Sequence, residues 1–224
     1  MFPIYVCYDS GVSLAEQAAI EQGLLETRPV FGCQIINYGA GTWEFGRLKS
    51  ANEVVRSLPR NERGQINATQ ILDSITEVAK SWVDPGAVVM LTSADLCAGD
   101  LSWCFGIARP STRVTVQSLA RYRWLDEAEA SACIRRTLRH ELGHIFCCAA
   151  DARRSNTVEK LGMHCTNLGC SMQQTMSLNE LRIAVRKENP RQCFCAQCMD
   201  DLRRFRLWQE NNEKRVVAPT RRRL

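Results

Sequence analysis

Residues 139–172 read RHELGHIFCCAADARRSNTVEKLGMHCTNLGCSM and hold all three histidines of the chain, His140, His144 and His164. On a helix of ~3.6 residues per turn, His140 and His144 lie one above the other, so both imidazoles can reach one metal ion. Glu141 then stands beside that ion, placed to take a proton from a water that the metal activates. A catalytic zinc needs a third protein ligand and an open fourth position. His164 is the one histidine left to supply it. Asp151 and Glu159 are acids of the kind other zinc hydrolases use there, but the residues after His164 favour the histidine. The plain alternative is a chance HExxH on an ordinary amphipathic helix, and the cysteines that follow count against it.

Those residues also carry a resemblance. His164, Cys165, Cys170 and Met172 stand as HCxxxxCxM, and Cys195 with Cys198 as CxxC, which resembles the zinc signature of the archaemetzincins. The resemblance implies a catalytic zinc on His140, His144 and His164, with Glu141 as general base and Met172 as the Met-turn methionine. It also implies a second, structural zinc on Cys165, Cys170, Cys195 and Cys198, hence two zinc ions per chain. The fold it implies is α/β (α+β), metzincin-like. A mixed sheet and an active-site helix would be followed by a C-terminal helical part stapled by the four-cysteine zinc. RGQINA at residues 63–68, and the run from FGIA to SLAR ahead of the helix, resemble the same family. By that analogy the upper edge of the cleft, with which an extended substrate pairs, is drawn from residues 103–120. One departure is large: nineteen residues separate His144 from His164, far more than in the family pattern. An inserted loop, roughly residues 147–161, must bulge out and return.

Composition bounds the rest. The chain has 224 residues, 45% hydrophobic and 24% charged, which suits one sizeable core. The expected organisation is a single metalloprotease domain over residues 1–214. Its sheet-and-helix half is 1–146, its Met-turn and cysteine half 147–214, and residues 215–224 form a basic, disordered tail. The start, MFPIYVCYDSGVS, has neither a basic n-region nor a long apolar run, so a cytoplasmic protein without signal peptide or membrane span is expected. In a reducing compartment, twelve cysteines point to metal binding rather than disulfides. Cys7, Cys33, Cys97, Cys104 and Cys133 fall in strand and helix patterns, where cysteine is by default a small buried hydrophobe; Cys147, Cys148 and Cys193 have no assigned role. The net charge of +5 is concentrated late, from Arg203 to Arg223, and reads as a solvated tail without the aromatic interleaving of a nucleic-acid site. A peptide or protein is the expected partner, with no membrane and no nucleic acid, and a monomer is the expected state.

In chain order, residues 3–8 (PIYVCY) form a strand, and Ser13 with Glu16 forms a capping box for a helix running through Leu25 until Pro29 ends it. Residues 30–38 form a second strand, and residues 41–64 hold an uncertain helix or none. A helix from about Asn67 to Trp82 follows. The clearest buried strand is 87–91, and 105–108 and 114–122 are two more. Asp126 and Glu129 form another capping box, and Ala130, Ile134, Leu138, Leu142 and Ile145 make one buried stripe, with the histidines on a neighbouring face. Residues 177–187 and 195–214 complete the helices; a CxxC opening the last one could be a redox pair, but its place at the chain end beside Cys165 and Cys170 suits a metal. The function expected is zinc-dependent peptide hydrolysis. The rival is a catalytically silent, zinc-stabilised binding or regulatory protein whose insertion covers the cleft.

Overall fold

The structure is a computed structural model and describes residues 2–39, 50–79, 86–149, 153, 155–189 and 191–217. The elements run β1 (Phe2–Tyr8), α1 (Leu14–Phe31), β2 (Cys33–Gly39), α2 (Ala51–Ser57), β3 (Ile66–Asn67), α3 (Ala68–Ala79), β4 (Ala87–Thr92), β5 (Leu96–Ala98), β6 (Leu101–Cys104), β7 (Gly106–Arg109) and β8 (Val114–Ser118). A 3₁₀ turn (Ala120–Trp124) leads into α4 (Glu127–Ile145), β9 (Thr157–Glu159), β10 (Met163–Cys165), α5 (Leu178–Lys187) and α6 (Ala196–Val217).

The main sheet has the order β2-β1-β4-β8-β7. Its first four strands are parallel, and β7 closes the edge antiparallel to β8. Parallel strands need both faces covered, and β4 (AVVMLT) is buried at every position. Because side chains alternate across a strand, the core divides in two. Ile4, Val6, Val89 and Leu91 pack on one face against Ile20 and Leu24 of α1 and Leu138 and Leu142 of α4. Cys7, Val88, Met90, Val114 and Val116 pack on the other against Val54 of α2 and Ile71 and Ile75 of α3. The active-site helix therefore lies flat on the sheet, directly behind β8 and β7. Among the described residues, no helix is long and apolar enough to cross a membrane.

Several elements depart from the sequence expectation. Pro29 does not end α1, which runs on to Phe31 and is closed by Gly32 in the left-handed conformation, its N–H donating to the Arg28 carbonyl at 2.9 Å. A proline in the last turn keeps helical φ and forfeits only its own N–H bond, and β2 consequently begins at Cys33 rather than residue 30. The strand expected over 114–122 stops at Ser118, where the chain turns into the 3₁₀ segment. A helix, α2, forms inside the polar stretch expected to hold an uncertain helix or none; residues 40–49 and 80–85, including the expected helix end at Trp82, lie outside the described residues, as do 218–224 of the expected tail. At Ser13 the capping box is complete. At Asp126 only half of it forms: the aspartate accepts from the Glu129 N–H at 2.9 Å, while the Glu129 carboxylate turns away to Arg182 and Arg186. That ties α4 to α5 instead.

Candidate metal centres

The helix α4 is buried on more than one face. Besides the apolar stripe, Arg136, Thr137, Arg139, Glu141 and Gly143 are all buried, because the sheet lies on one side and the chain after His164 on the other. The insertion returns as a hairpin: β9 and β10 pair antiparallel, with Met163 opposite Glu159 and His164 opposite Val158. Gly162 stands at the start of the returning strand with φ +111°, and a Cβ there would lie 3.8 Å from both the His144 and His164 rings. The residue that turns the hairpin thus passes directly over the histidines.

His140, His144 and His164 come together, their ligand atoms all within 4.8 Å of one another. Nε2 of His140 lies 3.2 Å from Nε2 of His144, close to the ~3.3 Å that two Zn–N bonds of ~2.0–2.1 Å at a tetrahedral angle would give. Nδ1 of His140 faces the Ser171 carbonyl at 2.8 Å, and Nδ1 of His164 faces the Gly162 carbonyl at 2.9 Å. A carbonyl can only accept, so both Nδ1 atoms carry the proton and both Nε2 lone pairs are free for a metal. Burial holds all three imidazoles below the usual range, His144 down to about 3, and a neutral imidazole is the ligating form. Glu159 lines the cleft from β9 and stands outside this cluster, and Asp151 falls outside the described residues.

Two glycines set the surroundings. A Cβ at Gly143 would fall 2.2 Å from Met172 Sδ, so α4 receives the fully buried Met172 against its bare backbone, under the histidines. A Cβ at Gly106, the first residue of the edge strand β7, would lie 2.8 Å from Glu141 Oε1. Glu141 is packed between its own helix and that strand, and burial pushes its carboxyl up to about 8. Nothing in the sequence singles out Gly106.

The turn bearing Met172 is clasped by α4. Gln173 N–H donates to the Cys170 carbonyl at 2.9 Å, and Arg136, almost wholly buried, donates to the Cys170 and Gln173 carbonyls. Arg136 and Arg139 both pair with the buried Glu188 beyond α5. No motif marks these arginines in the sequence, although RRTLRHE places Arg136 one helical turn before His140, where it must follow the same face.

Above the histidines opens a cleft of about 800 Å³, lined by β6 and β7 residues such as Trp103, Gly106 and Ala108, by the hairpin residues Glu159 and Leu161, and by Thr175 and Met176 beyond the Met172 turn. Of the expected cleft edge, residues 103–120, the part from Trp103 to Pro110 lines the cleft and includes the edge strand β7, whereas β8 lies inside the sheet. Cys147 and Cys148 also line the cleft, Cys147 with φ +57°.

The second cluster is closed. Cys165, Cys170, Cys195 and Cys198 also place their sulfurs within 4.8 Å of one another. Cys165 and Cys195 are 3.7 Å apart, as are Cys170 and Cys198. Zn–S bonds of ~2.3 Å in a tetrahedron separate sulfurs by ~3.8 Å, whereas a disulfide needs ~2.05 Å; all twelve cysteines are free. Hydrogen bonds from Cys170 and Cys198 hold the Cys165 thiol well below the usual range. The donor set and its spacing fit a structural zinc.

A nitrogen-rich centre open to a groove beside a sheet edge, with a closed thiol centre a few residues away, is built for hydrolysis at zinc, and the chain is a zinc metalloprotease. No family model matches the chain. An archaemetzincin from Methanopyrus kandleri is 33% identical over 142 residues, covering 63% of this chain and 68% of that protein. The chain belongs to the archaemetzincin family. The crystal structure of the M. kandleri archaemetzincin superposes with a TM-score of 0.66 at 22% identity, covering 92% of this chain and 96% of the other. A zinc-dependent peptidase from Methanocorpusculum labreanum gives 0.64 at 19% identity, covering 89% and 99%. An archaemetzincin from Archaeoglobus fulgidus, complexed with malonate, gives 0.59 at 19% identity with the same coverage. At those identities the solved structures speak for the fold alone.

Proposed function

We propose that this chain hydrolyses peptide bonds at a zinc held by His140, His144 and His164, with Glu141 as general base, and that Cys165, Cys170, Cys195 and Cys198 hold a second zinc. The observation that carries the reading is the return of His164: despite nineteen intervening residues, the hairpin brings it within 4.8 Å of the two helix histidines.

When bound, zinc supplies Lewis acidity, lowering the pKa of a water towards ~7 and polarising a carbonyl. The remaining work falls to the chain. The Ser171 and Gly162 carbonyls orient His140 and His164. The Glu141 carboxylate, packed at Gly106, takes the proton of the attacking water and passes it to the leaving amine. Burial raises its proton affinity and a neighbouring cation would lower it again, so the carboxyl can both take and give the proton. As the sheet's edge strand, β7 offers a row of backbone groups to an extended peptide, which would run across the cleft past Trp103 and Ala108. Recognition through backbone leaves broad tolerance for side chains. A silent binding protein is the weaker alternative, since neither zinc would need Glu141 to hold its place.

The test is zinc content per chain, measured under reducing conditions on wild type and His164→Ala, followed by cleavage of a peptide library. Two zinc ions in the wild type, loss of one in the variant and loss of cleavage with it are expected. A single zinc indifferent to His164→Ala would remove the catalytic centre.

A further inference from the structure

The insertion does more than return His164. Arg153, in its middle, reaches into the four-cysteine cluster: Nη2 donates to Cys165 Sγ at 3.1 Å and Nη1 to Cys198 Sγ at 3.2 Å. Nη1 also pairs with Asp201 of α6 at 3.1 Å, and both side chains are more than nine-tenths buried. The insertion's own backbone completes the hold, with the Asn156 carbonyl accepting from Nη2 at 2.7 Å and the Ser155 carbonyl from Nε at 2.9 Å. The other sulfurs are also served. Asn167 donates its backbone N–H to Cys165 at 3.4 Å and its amide to Cys195 at 3.2 Å, and the Cys195 N–H donates to Cys170 at 3.5 Å.

Every sulfur therefore accepts at least one N–H, which suits thiolates and is wasted on thiols. Four thiolates around a divalent cation leave a net charge of −2, costly to bury without compensation. A guanidinium is the fitting group, because its planar fork supplies two donors to two sulfurs and its charge cannot be lost. Had Arg153 only to neutralise Asp201, its second terminal nitrogen would not need to face Cys165.

We propose that Arg153 is a positioning residue of the four-cysteine zinc site, donating to the Cys165 and Cys198 thiolates, offsetting part of their charge and docking the insertion on α6. The proposal rests on the reading that these cysteines hold zinc. It also links the two centres. Cys165 follows His164 on β10, so the group that fastens the insertion to the cysteines fastens the strand that presents the third histidine.

The experiment compares the full chain with Arg153→Ala and Arg153→Lys, loaded with zinc and, separately, with cobalt(II). The rate of zinc release to a chromogenic chelator and the sulfur-to-cobalt charge-transfer band are read on each. We expect two zinc ions in all three proteins at loading. Outer partners of metal ligands are typically worth about 10- to 100-fold in affinity, so Arg153→Ala should release one zinc at least about tenfold faster. Its charge-transfer band should move to lower energy, because less well-compensated thiolates give up electrons more readily. Lysine, with one charge but no fork, should fall between. Wild-type release rate and an unshifted band in Arg153→Ala would overturn the proposal alone. So would equal losses in both variants matched by equal losses of melting temperature in the zinc-free proteins, since the arginine would then be packing only. A wild type that binds no zinc through its cysteines, shown by zinc content unchanged in Cys198→Ser, would overturn the zinc reading and this proposal with it.

Discussion

The two clusters lie a residue apart in sequence, at His164 and Cys165, yet they are built on opposite plans. The histidines open onto a cleft, and His140 and His164 each donate one hydrogen bond, from the ring nitrogen facing away from the metal position. The four clustered cysteines stand outside the lining of that cleft, and each sulfur is a hydrogen-bond acceptor. On the proposed reading, three ligands leave a coordination position for a reactant, and four cysteines use up theirs in holding the chain. Ligand number and surroundings differ together: three histidines stand beside a groove, while four cysteines are wrapped in N–H donors. The contrast breaks most severely if the closed centre is opened. In Cys198→Ser the last helix loses its staple, and because structural zinc contributes folding free energy directly, we expect a loss of several kcal/mol. Thermal melts and limited proteolysis of α6 would show it. A variant as stable as wild type would mean that the cysteine cluster is not a staple.

The open centre should break differently. Glu141→Gln keeps the shape beside Gly106 and removes the base, so cleavage should fall by about 10²- to 10⁴-fold with zinc content and melting temperature unchanged. Loss of zinc together with activity would instead place Glu141 in holding the site.

Acid sharpens the contrast in the metal-free protein. The imidazoles have folded pKa values depressed from 6.5, His144 to about 3, so their neutral burial favours folding above pH 6.5 and this is lost as pH falls towards 3. Glu141 runs the other way: raised from 4.5 to about 8, it favours folding below 4.5 and loses that contribution by pH 8. Three imidazoles oppose one carboxyl between pH 6.5 and 5, so chelated wild type should lose stability as pH falls through that window. Chelated Glu141→Gln, lacking the opposing carboxyl, should lose more, and chemical denaturation at each pH reads both. An equal slope would mean that the carboxyl is not buried in its protonated form.

How far the sequence could lead follows from the same contrast. HExxH, HCxxxxCxM and CxxC were legible because ligand spacing is local. The apolar run 87–91 and the Ser13 box were legible because periodicity and capping are local too. Pro29 misled, since a proline's effect depends on how many helical bonds remain after it. Glu129 misled in part, because Arg182 and Arg186, more than fifty residues on, outbid its own N-cap. Arg153, Arg136 and Gly106 were invisible for one reason. Each matters through a partner distant in sequence, and a lone arginine or glycine carries no period. The insertion showed as a length, and its hairpin pairing and its arginine are visible only in the fold.

Smaller changes test whether the open centre depends on close packing. Gly143→Ala adds a methyl 2.2 Å from Met172 Sδ; alanine's helix propensity returns about 1 kcal/mol, while overpacking costs about 1–3 kcal/mol. The variant should be modestly destabilised, with weaker zinc binding at the histidines and none of the change at the cysteines.

The smallest effect expected is at Gly106. Its Cβ would come 2.8 Å from Glu141 Oε1, and the neighbour there is the end of a side chain with some freedom, so the fold should absorb the methyl. What moves is the base. A displacement of a few tenths of an ångström in a carboxylate that must meet one water and one leaving amine should lower kcat by about tenfold, because misplacements of ~1 Å cost about 10²-fold. KM should stay near its wild-type value if β7 keeps its register with β8, since on the proposed reading that strand's backbone holds the substrate. Gly106→Ala that raises KM and spares kcat would show that this glycine makes room for the substrate, not for Glu141.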